Sequence, residues 1–308
     1  MRNALLWASE NPTLQKHVPS WPFVQRALRK FMPGETLEDA IGAAQSLAGR
    51  NVTTTFSTLG EHVTTMYQAE GVTEEYLGVY DRIAQLGLDA EIAIKLTHLG
   101  LDLDTEAAAK NLERLAARAE ETGTWVWVDM ESSEYVDRTL DIYKQVRSAH
   151  APVGVCVQAY LHRTPQDLEE LLPLKPGIRL VKGAYKEPAS VAIRRHADVD
   201  DAFFRIGAEL LTKVGDGVRL AMGSHDVTLL ERMGVVAKAA GVSRADYEIQ
   251  MLYGIRMEDQ LRYGAEGYNM RTVIPYGEQW YPWYVRRLAE RPANLWHVAK
   301  NVFAKSPV

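Results

Sequence analysis

The sequence predicts an α/β fold in which eight strands and their intervening helices close into a (βα)8 barrel. The first observation is that, from about residue 52, eight short apolar or β-branched runs alternate with segments of helical period. The second is that no Gly-x-Gly-x-x-Gly follows the first run, which disfavours a doubly wound sheet, the main competing fold. The third is the length of 308 residues, which suits one barrel with an additional segment.

The predicted strands are short runs of the kind that form buried parallel strands. In chain order they cover residues 52–57, 91–97, 124–130, 153–160, 177–184, 217–224, 247–254 and 267–275.

The segments between most of these runs have the apolar spacing of an amphipathic helix. In one of them, apolar residues from Ala108 to Ala119 recur at three- and four-residue steps, and Gly123 predicts the helix end. In another, Thr164 predicts the N-cap and Pro165 the first helical position. Residues 1–50 precede the first strand, contain the amphipathic stretch "WPFVQRALRKFM" and predict an N-terminal helical arm, so residues 51–308 form the predicted catalytic barrel.

Composition excludes several classes of function. A net charge of -5 and a pI near 5.9 argue against nucleic acid as a partner. Cys156 is the single cysteine, which rules out an internal disulfide, and its apolar neighbours indicate a buried thiol. The eight histidines show no metal-binding spacing, so no metal is expected. Neither a signal peptide nor a membrane-spanning run is evident. We expect a cytoplasmic protein, at most peripheral at the inner face of a membrane.

Polar residues lie at or near the C-terminal ends of six predicted strands, where (βα)8 barrels carry their active sites. They are Lys95, Asp129, Gln158, Lys182, the Ser224-His225-Asp226 sequence and Gln250. Taken singly, Lys95 is equally well a strand-end lysine with its ammonium in solvent, and Asp129 an N-cap. Asp226 is a better N-cap candidate than a member of a catalytic triad. Six strands ending in this way favour a ligand site.

Arginines supply further candidates. Arg179 lies earlier in its strand than Lys182, but its long side chain can extend to the same end. Arg286 and Arg287 are adjacent in a helical segment after the last strand. One interpretation is a surface ion pair between Arg286 and Glu290, and the other is a double guanidinium clamp for a carboxylate.

These residues fall within stretches typical of a known family. The chain resembles flavin-dependent proline dehydrogenases of the monofunctional bacterial type. The resemblance covers roughly residues 57 to 298 and rests on "IAIKLT", "WVDME", "VQAYLHRT", "RLVKGAYKEP", "GSHD", "EIQMLYG" and "YPWYVRRLAERPAN". It implies a distorted barrel with FAD at the strand C-termini.

The resemblance also implies roles for individual residues. The cofactor contacts would be Gln158, Arg179, Val181, Lys182, Gly183, Ala184, Ser224, His225 and Glu290. The substrate carboxylate would bind Lys95, Arg286 and Arg287, and the substrate ring would contact Asp129, Leu180 and Tyr185. Glu61 would pair with Arg286 to close the pocket.

The implied reaction oxidises L-proline to Δ1-pyrroline-5-carboxylate by hydride transfer from ring carbon C5 to FAD N5, the first step of proline catabolism. The implied catalytic residues are Lys95, Asp129, Arg179, Arg286 and Arg287. The electrons would pass to an acceptor such as a quinone, and a separate aldehyde dehydrogenase would act downstream.

One position departs from the family pattern. Members often carry tyrosine two residues before the proline of the last strand, where this chain has Val273, and Tyr276 is a candidate to fill that space. A smaller wall opens the alternative of 4-hydroxyproline or another cyclic amino acid as substrate. Two other classes stay open: a barrel aldolase or lyase with Lys95 as Schiff-base nucleophile and Asp129 as acid or base, and a non-catalytic binding protein.

Overall fold

The barrel predicted from the strand count is present. The structure, a computed structural model, describes residues 11, 21, 28, 30–60 and 62–281. In this part of the chain eight parallel strands pair in sequence order, and β8 pairs back with β1 to close the barrel. The predicted fold class is therefore confirmed.

Each predicted run overlaps one strand. The strands are β1 Val52–Thr58, β2 Ala90–Ile94, β3 Val126–Val128, β4 Val153–Gln158, β5 Gly177–Val181, β6 Arg219–Gly223, β7 Glu248–Leu252 and β8 Asn269–Tyr276. The α-helices are α1 Leu37–Ala48, α2 Met66–Leu86, α3 Thr105–Thr122, α4 Val136–Ala149, α5 Thr164–Leu171, α6 His196–Leu211, α7 Val227–Ala239 and α8 Met257–Ala265. Helix α1 precedes β1, and α2 to α8 follow β1 to β7 in turn.

Two predicted helix boundaries had different outcomes. Helix α3 ends at Gly123, whose φ of 69° is left-handed, as the sequence predicts. The predicted N-cap of α5 is wrong, because Thr164 is already helical and Arg163 is the N-cap residue. The Thr164 hydroxyl instead donates to the carbonyl oxygen of Gln158 at 2.6 Å, which ties α5 to the end of β4.

The strands have two chemically different faces because successive side chains point to opposite sides. One face packs against the helices and supplies the main core, with Phe56, Ile92, Val126, Leu180, Met222 and Ile249 among its members. The alternate positions point into the barrel. They include Thr55, Glu91, Trp127, Arg179, Gln250 and Arg271.

Four charged side chains form a layer inside the barrel near the N-terminal ends of the strands, and we call Glu91, Arg219, Glu248 and Arg271 the charged floor. Arg219 is 23% exposed in its side chain, and the other three are buried. Glu248 Oε2 lies 2.9 Å from both Arg271 Nε and Arg219 Nη2, and Arg219 Nη2 lies 2.6 Å from Glu91 Oε1. Two cations and two anions leave the floor neutral. Burial opposes ionisation of Glu248, but Arg271 and Arg219 outweigh it and hold its pKa well below its usual range.

The described part of the predicted arm packs on its own barrel. Helix α1 contacts β1 and β8 and covers the seam between them. Glu35, just before α1, is bonded to the segment after β8. Its Oε1 accepts from Trp280 Nε1 at 2.7 Å, and its carbonyl oxygen accepts from Gly277 N at 2.9 Å. The Lys30 carbonyl lies against Gly254 in the loop after β7. The division into an arm of residues 1–50 and a barrel of residues 51–308 stays a prediction.

None of the helices in the described ranges has the length and apolar character needed to span a membrane. Cys156 is buried, as predicted.

Candidate active site at the C-terminal ends of the strands

Three predicted site residues from three strands meet at the C-terminal mouth of the barrel. Arg179 Nη1 donates to Asp129 Oδ1 at 2.7 Å, and Lys95 Nζ lies 4.0 Å from Asp129 Oδ2. Lys95 and Asp129 directly follow β2 and β3, and Arg179 extends from within β5. Asp129 therefore contacts both cations and does not act as the N-cap of a helix.

Arg179 is buried and only partly paired. It is 5% exposed, and its Cζ lies 4.8 Å from the ring centroid of Trp127. Its Nε and Nη2 have no hydrogen-bond partner among the described residues. A buried donor without an acceptor is costly, so these two donors are candidates to bind a ligand or a part of the chain beyond the described residues.

Gln158 presents the complementary group. Its Nε2 donates to the carbonyl oxygens of Met130 at 3.2 Å and Glu131 at 2.7 Å. Only the amide nitrogen can donate, so these two bonds assign the amide orientation. The Oε1 atom is buried and has no partner among the described residues, which leaves an acceptor for a ligand N–H group.

Glu131 was not selected from the sequence, although it holds this side of the mouth together. Its Oε1 accepts from the Thr97 hydroxyl at 2.8 Å, two residues after Lys95, while its carbonyl oxygen holds Gln158. Glu131 is 3% exposed, so this link between the ends of β2, β3 and β4 is shielded from water. In the sequence, its position two residues after Asp129 was the feature that could have indicated a place at the mouth.

The turn after β5 requires glycine. Gly183 has a φ of 110°, and a Cβ there would lie 2.2 Å from Tyr160 Cδ1. Beside it, Lys182 Nζ pairs with Asp226 Oδ2 at 2.8 Å and Asp200 Oδ1 at 2.5 Å, which ties the end of β5 to α7 and α6. Among the neighbouring predicted residues, Val181 and Ala184 are partly buried, and Tyr185 is 36% exposed.

The Ser224-His225-Asp226 sequence is not arranged as a triad. Asp226 caps α7 by accepting from Leu229 N at 3.2 Å, which confirms the N-cap interpretation. Ser224 Oγ accepts from Asp226 N at 3.2 Å. His225 Nε2 accepts from Leu252 N at 2.9 Å, which assigns the proton of a neutral imidazole to Nδ1.

The side chains of Leu180 and Tyr276 point away from the barrel interior, contrary to expectation. Leu180 is fully buried, and its Cδ2 lies 3.5 Å from where a Cβ on Gly207 of α6 would be. It neighbours Arg179 in the strand and therefore points to the opposite face. Tyr276 Oη bonds to Thr58 Oγ1 at 2.7 Å, on the face opposite Val273, so it does not fill the space beside that residue.

Gln250 is an additional inward residue of β7. It is 2% exposed, its Nε2 donates to Glu248 of the charged floor, and its Oε1 has no partner in the described part of the chain. The sequence placed it near a strand end but indicated no role. Glu61, Arg286, Arg287 and Glu290 lie outside the described residues, so their predicted roles stay predictions.

Comparison with known proteins identifies the family. Residues 40–300 match a family model described as proline dehydrogenase. The chain is 36% identical over 304 residues to "Proline dehydrogenase 2" of Bacillus subtilis (strain 168), covering 99% of each chain. The chain belongs to the proline dehydrogenase family. It is also 32% identical to "Proline dehydrogenase" of Deinococcus radiodurans over 308 residues, covering 98% of this chain and 97% of that protein.

A solved structure supports the fold of this proline dehydrogenase family member. Proline utilization A (PutA) from Bdellovibrio bacteriovorus, inactivated by N-propargylglycine, superposes with a TM-score of 0.83 at 22% identity. The match covers 99% of this chain and 38% of that longer chain. At this level of identity the likeness concerns the barrel architecture alone.

Proline dehydrogenases in general depend on a flavin, and the mouth of the barrel suits one. The flavin ring system offers nitrogen and carbonyl acceptors on one edge and an N–H donor on another. Two donors of Arg179 and one acceptor of Gln158 have no partner in the described part of the chain, and they match these groups in kind. The residues present therefore fit a flavin at the C-terminal ends of β4 and β5.

Proposed function

We propose that this chain is an FAD-dependent L-proline dehydrogenase, which oxidises L-proline to Δ1-pyrroline-5-carboxylate as the first step of proline catabolism. The observation that carries the proposal is the buried Arg179, two of whose donors have no partner among the described residues, beside Asp129 and Lys95 at the mouth of the barrel. Family membership supplies the reaction to which this arrangement is matched.

Two residues would hold the flavin ring. Arg179 would donate to its N5 side, and Gln158 would accept from its N–H edge. The bound flavin supplies the acceptor for the hydride that leaves substrate C5. Arg179 is permanently charged and shielded from water, so it favours a ring that gains negative charge. The proposed contacts along the rest of the cofactor are Val181, Lys182, Gly183, Ala184, Ser224, His225 and Glu290.

The charge of the three groups that meet at the mouth suits the reactive form of the substrate. Lys95, Asp129 and Arg179 sum to one positive charge, whereas proline with a neutral amine carries one negative charge on its carboxylate. Lys95 would bind that carboxylate together with Arg286 and Arg287, and this fixed orientation brings C5 towards the flavin. The proposal also includes Asp129 and Tyr185 beside the ring and Glu61 at the closing edge.

We also propose an electron acceptor, a cellular location and a downstream enzyme. The reduced enzyme would pass its electrons to an acceptor such as a quinone, which suits a cytoplasmic protein that contacts the inner face of the membrane. The product would then be oxidised by a separate aldehyde dehydrogenase.

An alternative substrate follows from Val273. This inward position of β8 lies in register with Thr55 and Leu252 and carries a small apolar side chain. The Tyr276 hydroxyl is bonded to Thr58 on the other face, so Tyr276 does not crowd a hydroxylated ring beside Val273. The second candidate activity is therefore the same oxidation of 4-hydroxyproline.

The test uses anaerobic reduction of the purified protein loaded with FAD. We expect L-proline to bleach the flavin absorbance, and bleaching by trans-4-hydroxy-L-proline alone would transfer the proposal to that substrate. Lys95→Met should raise the substrate concentration for half-maximal bleaching by at least about tenfold, since it removes a charge-assisted contact. The matched control is Lys110→Met, which removes an exposed lysine paired with Glu106 in α3. A protein that takes up no FAD, or whose flavin neither compound bleaches, contradicts the proposal.

A further inference from the structure

Trp127 contacts Arg179, although neither the family resemblance nor the proposed chemistry assigns it a role. Its side chain is fully buried inside the barrel, at the inward position of β3 below Asp129. The Arg179 Cζ lies 4.8 Å from its ring centroid, and the Arg219 Cζ lies 5.1 Å from it. The indole therefore contacts both the site arginine and an arginine of the charged floor.

The indole is held in one orientation. Its Nε1 donates to Glu91 Oε2 at 2.7 Å, and Glu91 is itself fixed by Arg219 at 2.6 Å. On the side of β4, a Cβ on Gly154 would lie 2.4 Å from Trp127 Cε3, so the ring packs directly on that glycine. A hydrogen bond and a close packing contact together restrict rotation about χ2.

We propose that Trp127 is a positioning residue that fixes the guanidinium of Arg179 for the bound flavin. Asp129 anchors one corner of the guanidinium through Nη1, and the aromatic face limits the position of the whole group. These two restraints hold Nε and Nη2, which have no partner within the described ranges, in fixed positions for an incoming acceptor. Asp129 alone would allow the guanidinium to pivot about a single hydrogen bond.

Tryptophan suits this role for an electrostatic reason. An aromatic face attracts a cation through its quadrupole and carries no net charge, so it supports Arg179 without neutralising it. A second carboxylate in this place, in addition to Asp129, would offset more of the charge and weaken the preference for a negatively charged flavin. Glu91 lies beyond the indole, where its charge is already shared with Arg219 and Arg271.

This inference rests on the proposed function, so the wild-type protein is measured first. If it takes up no FAD, the proposed function fails, and the role of Trp127 in flavin binding fails with it. If it does, the readouts are the dissociation constant of FAD from the apoprotein and the two-electron midpoint potential of the bound flavin. Neither readout depends on turnover, and a loss of overall stability alone does not move the potential.

The variants are Trp127→Leu, which removes the aromatic face, and Trp127→Phe, which keeps a ring but loses the bond to Glu91. We expect Trp127→Leu to weaken FAD binding about tenfold and to lower the preference for the reduced flavin about tenfold, a shift of about 30 mV to more negative potential. Trp127→Phe should shift the potential in the same direction by less. If the leucine variant does not fold, the phenylalanine variant carries the test.

The matched control is Trp125→Phe. Trp125 stacks on Trp127, with 6.1 Å between the ring centroids, and lies 4.5 Å from the Arg219 Cζ. Phenylalanine keeps an aromatic ring beside Trp127, and the cation contact of Arg179 is with Trp127. Replacing Trp125 should therefore leave the flavin potential unchanged. A Trp127→Phe protein with the potential of the Trp125→Phe protein overturns the inference.

A double-mutant cycle shows whether Trp127 acts through Arg179. In an Arg179→Met background the cation is gone, so replacing Trp127 by Phe should cause no further shift in potential. A shift of equal size in both backgrounds would mean that Trp127 acts independently of Arg179, which overturns the positioning role.

Discussion

Replacing Glu248 by glutamine tests whether the charged floor stabilises the barrel. Glu248 is 1% exposed, and its carboxylate lies 2.9 Å from both Arg271 and Arg219. Glutamine has nearly the same shape but no charge. Two guanidinium groups would then share Glu91 inside the barrel. The other carboxylate near them, Asp89 at 3.2 Å from Arg271 Nη2, is 71% exposed in its side chain, so one positive charge would lack a buried counter-charge.

The expected loss follows from that uncompensated charge. Removing one partner of a buried ion pair costs about 3–5 kcal/mol, because the remaining charge stays buried. At about 2 °C per kcal/mol for a chain of this size, the Tm should fall by about 6–10 °C. The free energy of unfolding would be measured by urea denaturation, and the Tm by circular dichroism.

Glu106→Gln is the matched control. Glu106 is 81% exposed in its side chain and pairs with Lys110 at 3.0 Å, so the same chemical change there should cost no more than about 0.5 kcal/mol. A loss below about 1 kcal/mol for Glu248→Gln would refute the reasoning. The double replacement Glu248→Leu with Arg271→Met removes one charge of each sign and should recover much of the lost stability.

Three further predictions concern pH, the arm and the cysteine. The pKa of Glu248 is lower in the folded state than its unfolded value of about 4.3. Its contribution to stability is therefore complete above about pH 5 and is lost as the pH falls through the folded-state pKa. The difference in unfolding free energy between wild type and Glu248→Gln should therefore shrink on acidification, and a constant difference would contradict this assignment. Gly254→Ala places a Cβ 1.5 Å from the Lys30 carbonyl oxygen at a φ of 77°, so this replacement should lower the Tm and speed proteolysis of the arm. The control is Gly87→Ala, which has a φ of 60° and open space around the Cβ and should lower the free energy of unfolding by only about 1–2 kcal/mol. Burial raises the pKa of Cys156 to about 12, so iodoacetamide at pH 8 should modify it only in denaturant, and rapid modification of the native protein would contradict the buried position.

The sequence was sufficient for the barrel because each strand is encoded locally. Runs such as "VGVCVQ" in β4 combine β-branched residues with flanking turn signals, and position in a parallel barrel then places their C-terminal ends at one mouth. The same reasoning brought Lys95 and Asp129 together, and the reach of the Arg179 side chain added a third member.

Other features depended on contacts that no local pattern contains. The family resemblance implied that Leu180 lies beside the substrate ring, but Leu180 is adjacent to the inward-pointing Arg179 in β5 and therefore faces the helices. Thr164 has the chemistry of an N-cap, yet its hydroxyl bonds to the end of β4. The charged floor was missed because each of its residues is a single charge within an apolar run, and its partners lie up to 180 residues away, as from Glu91 to Arg271.

The charged floor also makes the two halves of the barrel dependent on each other. The segment from β1 to β4 contributes Glu91, and the segment from β5 to β8 contributes Arg219, Glu248 and Arg271. If the chain were divided after β4, the first half would keep the negative charge of Glu91, and the second half would keep a net positive charge. A one-residue shift in the register of β2, β6, β7 or β8 would move a charged side chain into the apolar layer beneath the helices. The floor thus specifies strand register, and it is completed only when the first half of the chain has closed against the second.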